Sequence, residues 1–166
     1  MLSRRRFLGA SSALTGSLLL DSNGLVATLQ AATAAATLLQ RPIPASGEMI
    51  PVIGMGTSDS FEIAQRSAEY RALQEVLKRF ATAGATVIDT APTYGNAENI
   101  LGALLRESSV RARVFIATKL SGVSGRQQGL EQFRSTLERL GTDKVELLQV
   151  HNLRDWRTQL QVARQL

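Results

Sequence analysis

The stretch Val87-Ile-Asp-Thr-Ala-Pro-Thr-Tyr-Gly-Asn-Ala-Glu98 reads as the end of a strand, a turn-rich loop and the start of a helix. Val87 and Ile88 are apolar, and Asp89 is the first ionisable group after them. Pro92, Gly95 and Asn96 are turn formers. Ala97, Ile100, Leu101, Leu104 and Leu105 then recur at helical spacing, with Asn96 as the predicted N-cap. The same grammar repeats on either side. A predicted strand over 114–118 runs into Lys119, one over 145–150 into His151, and one over 49–56 ends at Gly56. The second strand is predicted over 86–89, with its loop over 90–95.

Helical spacing fills the gaps between these runs. Tyr70, Leu73, Leu77 and Phe80 are closed by Gly84; Leu130, Phe133, Leu137 and Leu140 are closed by Gly141. Strand ends therefore recur roughly every thirty residues, the length of a βα unit. The strands are almost continuously apolar, as parallel strands buried on both faces must be. This is the rhythm of an α/β chain of the parallel (β/α)8 TIM barrel, whose chemistry sits at the C-terminal strand ends. Eight units need about 250 residues. The 166 residues here supply the first four βα units, so residues 37–166 are expected to form the N-terminal half of a barrel. Residues 44–48 predict a turn between two short extended pieces, a hairpin placed to plug the barrel floor.

Composition narrows the function classes. Hydrophobic residues make up 44% and charged ones 20%, ordinary for a globular domain. Beyond residue 36 there are 16 basic against 13 acidic side chains, a net +3. So small a charge, spread over several helices, is a solvated surface rather than a nucleic-acid footprint. The chain has no cysteine, which excludes disulfides, thiolate metal sites and a cysteine nucleophile. No metal-ligand cluster and no G-x-S-x-G elbow is present, and Gly54-Met55-Gly56 lacks the third glycine and helical opening of a dinucleotide fingerprint.

The first 36 residues read as an address. Arg4-Arg5-Arg6-Phe7-Leu8 is a basic opening, residues 8–20 are weakly apolar, and Ala32-Thr33-Ala34 offers a small-residue cleavage site. The paired arginines closely resemble a twin-arginine export signal, which predicts an exported, periplasmic protein. Gly9, Ser11, Ser12, Thr15, Gly16 and Ser17 interrupt the apolar stretch before Asp21. It falls short of the ~20 apolar residues a span needs, so no stable membrane span is expected after cleavage.

Asp89, Tyr94, Lys119 and His151 are the candidate site. Taken singly, each has a structural explanation: a loop cap, a packed aromatic, a snorkelling lysine, a core histidine. Their joint position at successive strand ends favours a site. A phenol titrates near pH ~10 and gives up its proton reluctantly at neutrality. An ammonium beside it stabilises the phenolate, and a carboxylate can hold that ammonium in place. A histidine nearby can orient a carbonyl oxygen or relay a proton. The reaction that fits is carbonyl reduction: Tyr94 protonates the oxygen as charge develops, Lys119 assists it, and Asp89 fixes Lys119. His151 is the only histidine in the chain.

Gly54-Met-Gly-Thr-Ser-Asp-Ser-Phe61, residues 87–98, Val114-Phe-Ile-Ala-Thr-Lys119 and residues 139–152 resemble, in order and spacing, the motifs of the aldo-keto reductase superfamily over about residues 41–160. The resemblance implies a TIM barrel that reduces aldehydes or ketones with a nicotinamide cofactor, usually NADPH, with NADH left open. It makes Asp89, Tyr94, Lys119 and His151 a catalytic tetrad, with Tyr94 the proton donor and His151 also on the substrate. It sets Gly56 and Thr57 against the cofactor and Asp89 near the nicotinamide. The family takes much of its cofactor pocket from later strands, so this chain is expected to hold the tetrad with an incomplete cofactor site. The alternative is a non-catalytic half-barrel that pairs with itself or a complementary chain through its open edges. Arg154, Asp155 and Trp156 follow His151 and are placed either on the substrate or in surface packing.

Overall fold

The computed structural model describes residues 38–166; the predicted export signal lies outside the described residues. A hairpin comes first. β1 (Gln40–Pro42) pairs antiparallel with β2 (Met49–Pro51), Gln40 opposite Pro51 and Pro42 opposite Met49. Ile43 N–H donates to Glu48 O at 2.8 Å, and Gly47 takes φ +74° to close the turn, a conformation that costs glycine little.

Four strands then form one parallel sheet in chain order: β3 (Met55–Gly56), β4 (Val87–Asp89), β5 (Phe115–Leu120) and β6 (Leu147–Val150). The crossovers are α1 (Ala68–Thr82), α2 (Ala97–Ser108) and α3 (Arg126–Leu140), and α4 (Trp156–Ala163) follows β6. These are the first four βα units of a barrel, as the periodicity predicts.

The single strand expected over 49–56 is divided. Met49–Pro51 belongs to the hairpin, and only Met55–Gly56 reaches the parallel sheet. The two pieces have different partners, β1 and β4, and Pro51 has no N–H to continue a ladder. Gly54 sits at the crossing: a Cβ there would stand 2.9 Å from Val87 O. β5 runs longer than expected, so Lys119 lies inside the strand. β6 begins later, because the Glu146 carboxylate turns to Ile116 N–H at 2.8 Å and to the Arg111 guanidinium at 3.2 Å.

The helices start and stop for identifiable reasons. Ser67 Oγ caps α1 by accepting Tyr70 N–H at 3.1 Å. Gly141 ends α3 at φ +63°, and Thr142 N–H returns to Leu137 O at 3.1 Å. Asn96 precedes α2 as expected, but its side chain makes no capping bond; its Nδ2 donates to Ile63 O at 2.6 Å instead. Leu77, Ile88, Ile100, Leu101, Leu104, Ile116 and Leu140 form the core between sheet and helices. Gly102 brings α2 onto the end of α3, where a Cβ would lie 2.8 Å from the Leu140 carbonyl carbon. No described helix is long and apolar enough to cross a membrane.

Candidate active site

Strand register decides which side chains can meet. Gly56 lies opposite Asp89, Asp89 opposite Ala117, and Lys119 opposite Gln149. Side chains alternate between faces along a strand, so Asp89, Lys119 and Gln149 share one face near the C-terminal ends. Ile88, Ile116 and Thr118 take the other face, against the helices; all three are fully buried.

On that shared face Lys119 Nζ donates to Asp89 Oδ1 at 2.7 Å and to Thr90 O at 2.8 Å. An ammonium has three N–H groups, so one remains. Nζ stands 5.0 Å from the centroid of the Tyr94 ring. The Lys119 side chain is only 11% exposed against 41% for Asp89: the cation is sheltered while the carboxylate faces outward. Gln149 Nε2 donates to the second Asp89 oxygen at 3.4 Å.

Tyr94 is set by its loop. Its N–H donates to Ala91 O at 3.1 Å, and Ala97 N–H donates to Tyr94 O at 2.9 Å. Gly95 turns the chain into α2 at φ +48° under the Glu62 side chain, where a Cβ would collide. The His151 ring meets the Tyr94 ring edge-on, with centroids 5.9 Å apart and planes at 90°. His151 Nδ1 lies 2.8 Å from Ser121 Oγ and 3.4 Å from Thr93 Oγ1. The structure thus brings Asp89, Tyr94, Lys119 and His151 together from β4, the loop after it, β5 and the end of β6.

The expected cofactor positions, Gly56 and Thr57, differ in their surroundings. Gly56 ends β3 beside Asp89, and a Cβ there would meet nothing within 4 Å. Thr57 has no exposed surface; its hydroxyl donates to Thr90 Oγ1 at 2.9 Å and its N–H to Asp89 O at 3.0 Å. These two bonds tie the ends of β3 and β4 together.

Beyond His151 the chain turns sharply, with Asn152, Leu153 and Asp155 all at positive φ (53°, 55° and 46°). Arg154 joins Thr93, Gly122, His151 and Asn152 around a cavity of about 470 Å³. Asp155 is engaged by its own neighbours. Its carboxylate accepts Gly125 N–H at 2.8 Å and the Thr158 hydroxyl at 2.9 Å. The Gly125 amide, then Thr158, hold it below the ordinary carboxylate range. Trp156 opens α4, 42% exposed, with the Arg157 guanidinium 4.6 Å over its ring. A separate cavity of about 410 Å³ between α1 and α2 is lined by Lys78, Glu107 and Arg113 and touches none of the site residues.

Ser121, Thr93 and Gln149 join the site without having stood out in the sequence. A signal for two of them was available: Ser121 lies two residues beyond Lys119 and Gln149 two before His151, the alternation of a strand face.

The aldo/keto reductase family model matches residues 52–166. An aldo-keto reductase of Mycolicibacterium vanbaalenii is 37% identical over 103 residues, covering 61% of this chain and 34% of the relative. An aldo/keto reductase structure from Brucella melitensis is 30% identical with a TM-score of 0.59, covering 78% of this chain and 50% of that one. An aldo-keto reductase from Klebsiella pneumoniae, solved with NADPH, shares the fold at 24% identity and a TM-score of 0.62, covering 78% of this chain and 46% of that one. The chain spans about a third of the length of the curated relatives it matches.

Proposed function

Because the chain belongs to the aldo/keto reductase family, we propose that it carries the catalytic face of an NAD(P)H-dependent oxidoreductase reducing aldehyde or ketone carbonyls to alcohols. The observation that supports this most is the sheltered Lys119–Asp89 pair, with Nζ 5.0 Å from the Tyr94 ring and His151 edge-on to that ring. A bound nicotinamide supplies a hydride, two electrons and one hydrogen, to the carbonyl carbon. This chain's residues then serve the oxygen. Tyr94 Oη gives it a proton as the carbon–oxygen π bond breaks, and the resulting phenolate is stabilised by the Lys119 ammonium. Asp89 and Thr90 O keep that ammonium from swinging into solvent. His151 hydrogen-bonds the carbonyl oxygen and orients it. Gly56 lies against the cofactor, on the motif resemblance. NADPH is the cofactor the motif resemblance implies as the usual one, with NADH left open.

The test is a fluorescence titration of the purified chain with NADPH, beside a sizing column. Saturable binding, with aldehyde-dependent NADPH oxidation, is the expected result. Absence of binding from every soluble form would overturn the proposal that this polypeptide is itself a reductase. A second role, as a module that pairs with itself or a complementary chain through sheet edges, draws on β3 and β6 as outer strands and on exposed Leu147 and Leu160; a monomer on the column would remove self-pairing.

The same proposal includes export by the twin-arginine route, supported by Arg4, Arg5, Phe7 and Leu8. Replacing Arg4 and Arg5 together with Lys is expected to leave the protein in the cytoplasm, as followed by cell fractionation. Undiminished periplasmic protein would count against that route.

A further inference from the structure

Two hydroxyls converge on one nitrogen of His151. Ser121 Oγ lies 2.8 Å from Nδ1 and Thr93 Oγ1 3.4 Å from the same atom; no described residue offers Nδ1 a carbonyl or carboxylate. A carbonyl or carboxylate there would force the proton onto Nδ1, since neither can donate. A hydroxyl can donate as well as accept, and where it donates to Nδ1 the proton resides on Nε2.

Ser121 is itself firmly held. It is 3% exposed, and the Gln132 side-chain amide of α3 reads both of its backbone groups. Ser121 N–H donates to Gln132 Oε1 at 2.7 Å, and Gln132 Nε2 donates to Ser121 O at 2.8 Å. This is a bidentate grip on the residue just past β5, so Oγ is delivered to Nδ1 by a rigid element rather than a free loop.

We infer that Ser121 is a positioning residue of the site: its hydroxyl donates to His151 Nδ1, keeps the neutral ring in its Nε2–H tautomer, and is aimed by Gln132. The inference rests on the carbonyl-orienting role proposed for His151, because a carbonyl oxygen needs a donor and Nε2–H supplies one. Its test does not depend on turnover, so a chain that reduces nothing still decides it.

His151 is the only histidine, so its imidazole signals assign themselves. The full chain, labelled with 15N in the imidazole and purified through a histidine-free tag, is examined by long-range 1H–15N spectroscopy at a pH where the ring is neutral. The expected spectrum is one locked tautomer, Nδ1 in the unprotonated region and Nε2 in the protonated region. Ser121→Ala is expected to shift both nitrogens toward the averaged positions of exchanging tautomers, and Ser121→Thr to restore the locked pattern. Thr93→Val should leave it in place, since the longer contact is the weaker one. A wild-type ring protonated on Nδ1, a Ser121→Ala spectrum that superimposes on wild type, or a shift caused by Thr93→Val alone would overturn the assignment. Should Ser121→Ala fail to fold, the wild-type and Thr93→Val spectra decide the question.

Discussion

Tyr94→Phe is expected to lower kcat/KM for carbonyl reduction by roughly 10²–10⁴-fold, the range a positioned general acid contributes. NADPH affinity should remain close to wild type, because the substitution removes one oxygen and keeps the ring that packs edge-on against His151. The assay is steady-state kinetics on a catalytically competent form, with a fluorescence titration of cofactor alongside. Lys119→Met should fall by a similar factor, since Lys119 Nζ is the cation beside the Tyr94 ring. The double variant should be little worse than either single one, because groups acting as a unit are not additive. Equal activity in Tyr94→Phe and wild type would remove Tyr94 as the proton donor. A drop in the double variant equal to the product of the single drops would mean that Lys119 and Tyr94 work independently.

Arg139→Leu should destabilise the fold by ~3–5 kcal/mol, the usual cost of stranding one member of a buried ion pair. The stranded group is Glu98, 2% exposed on the first turn of α2. Its Oε2 accepts Arg139 Nε at 2.8 Å and Thr136 Oγ1 at 3.2 Å, with Arg139 Nη2 in ion-pair contact at 2.8 Å, while Oε1 accepts Thr118 Oγ1 at 3.0 Å. This carboxylate therefore joins α2, α3 and β5, and Thr118 immediately precedes Lys119. Losing Arg139 should also loosen the strand that aims the lysine. Urea unfolding checks this, with a lower midpoint and an unchanged slope. Replacing both Glu98 and Arg139 with Met should recover much of the loss, as apolar replacements of buried pairs often do. A midpoint shift worth less than ~1 kcal/mol in Arg139→Leu, the size of an exposed pair, would mean that Thr118 and Thr136 satisfy the carboxylate without a cation.

Glu98 also shows where a sequence stops speaking. An acidic residue in the first turn of a helix is favourable on dipole grounds alone, so nothing along the chain marks Glu98 as buried. Thr57 looks like a cofactor neighbour by its place in the motif, and nothing along the chain marks it as fully buried with its hydroxyl on Thr90. Residues 49–56 look like one strand because every local preference favours extension. Their division follows from two pairing partners, one seven residues upstream of Met49 at Pro42 and the other, for Met55, at Ile88, well beyond.

What the chain determined locally is the order of its elements. The apolar runs, the 3.6-residue spacing in the helices and the glycines at 84 and 141 depend on near neighbours, and they give four βα units with an ionisable or hydroxyl-bearing group at each strand end. What the tertiary structure alone decided is which of those groups touch. Register puts Asp89 and Lys119 on one face, where they bond, extends β5 past Lys119 to Leu120, and lets the next residue, Ser121, reach His151 across 30 positions of sequence. A hydrogen bond tolerates only a few tenths of an ångström. A displacement of that size leaves no trace in hydrophobic pattern, so the partners of His151 and Glu98 could be found only once the strands were side by side.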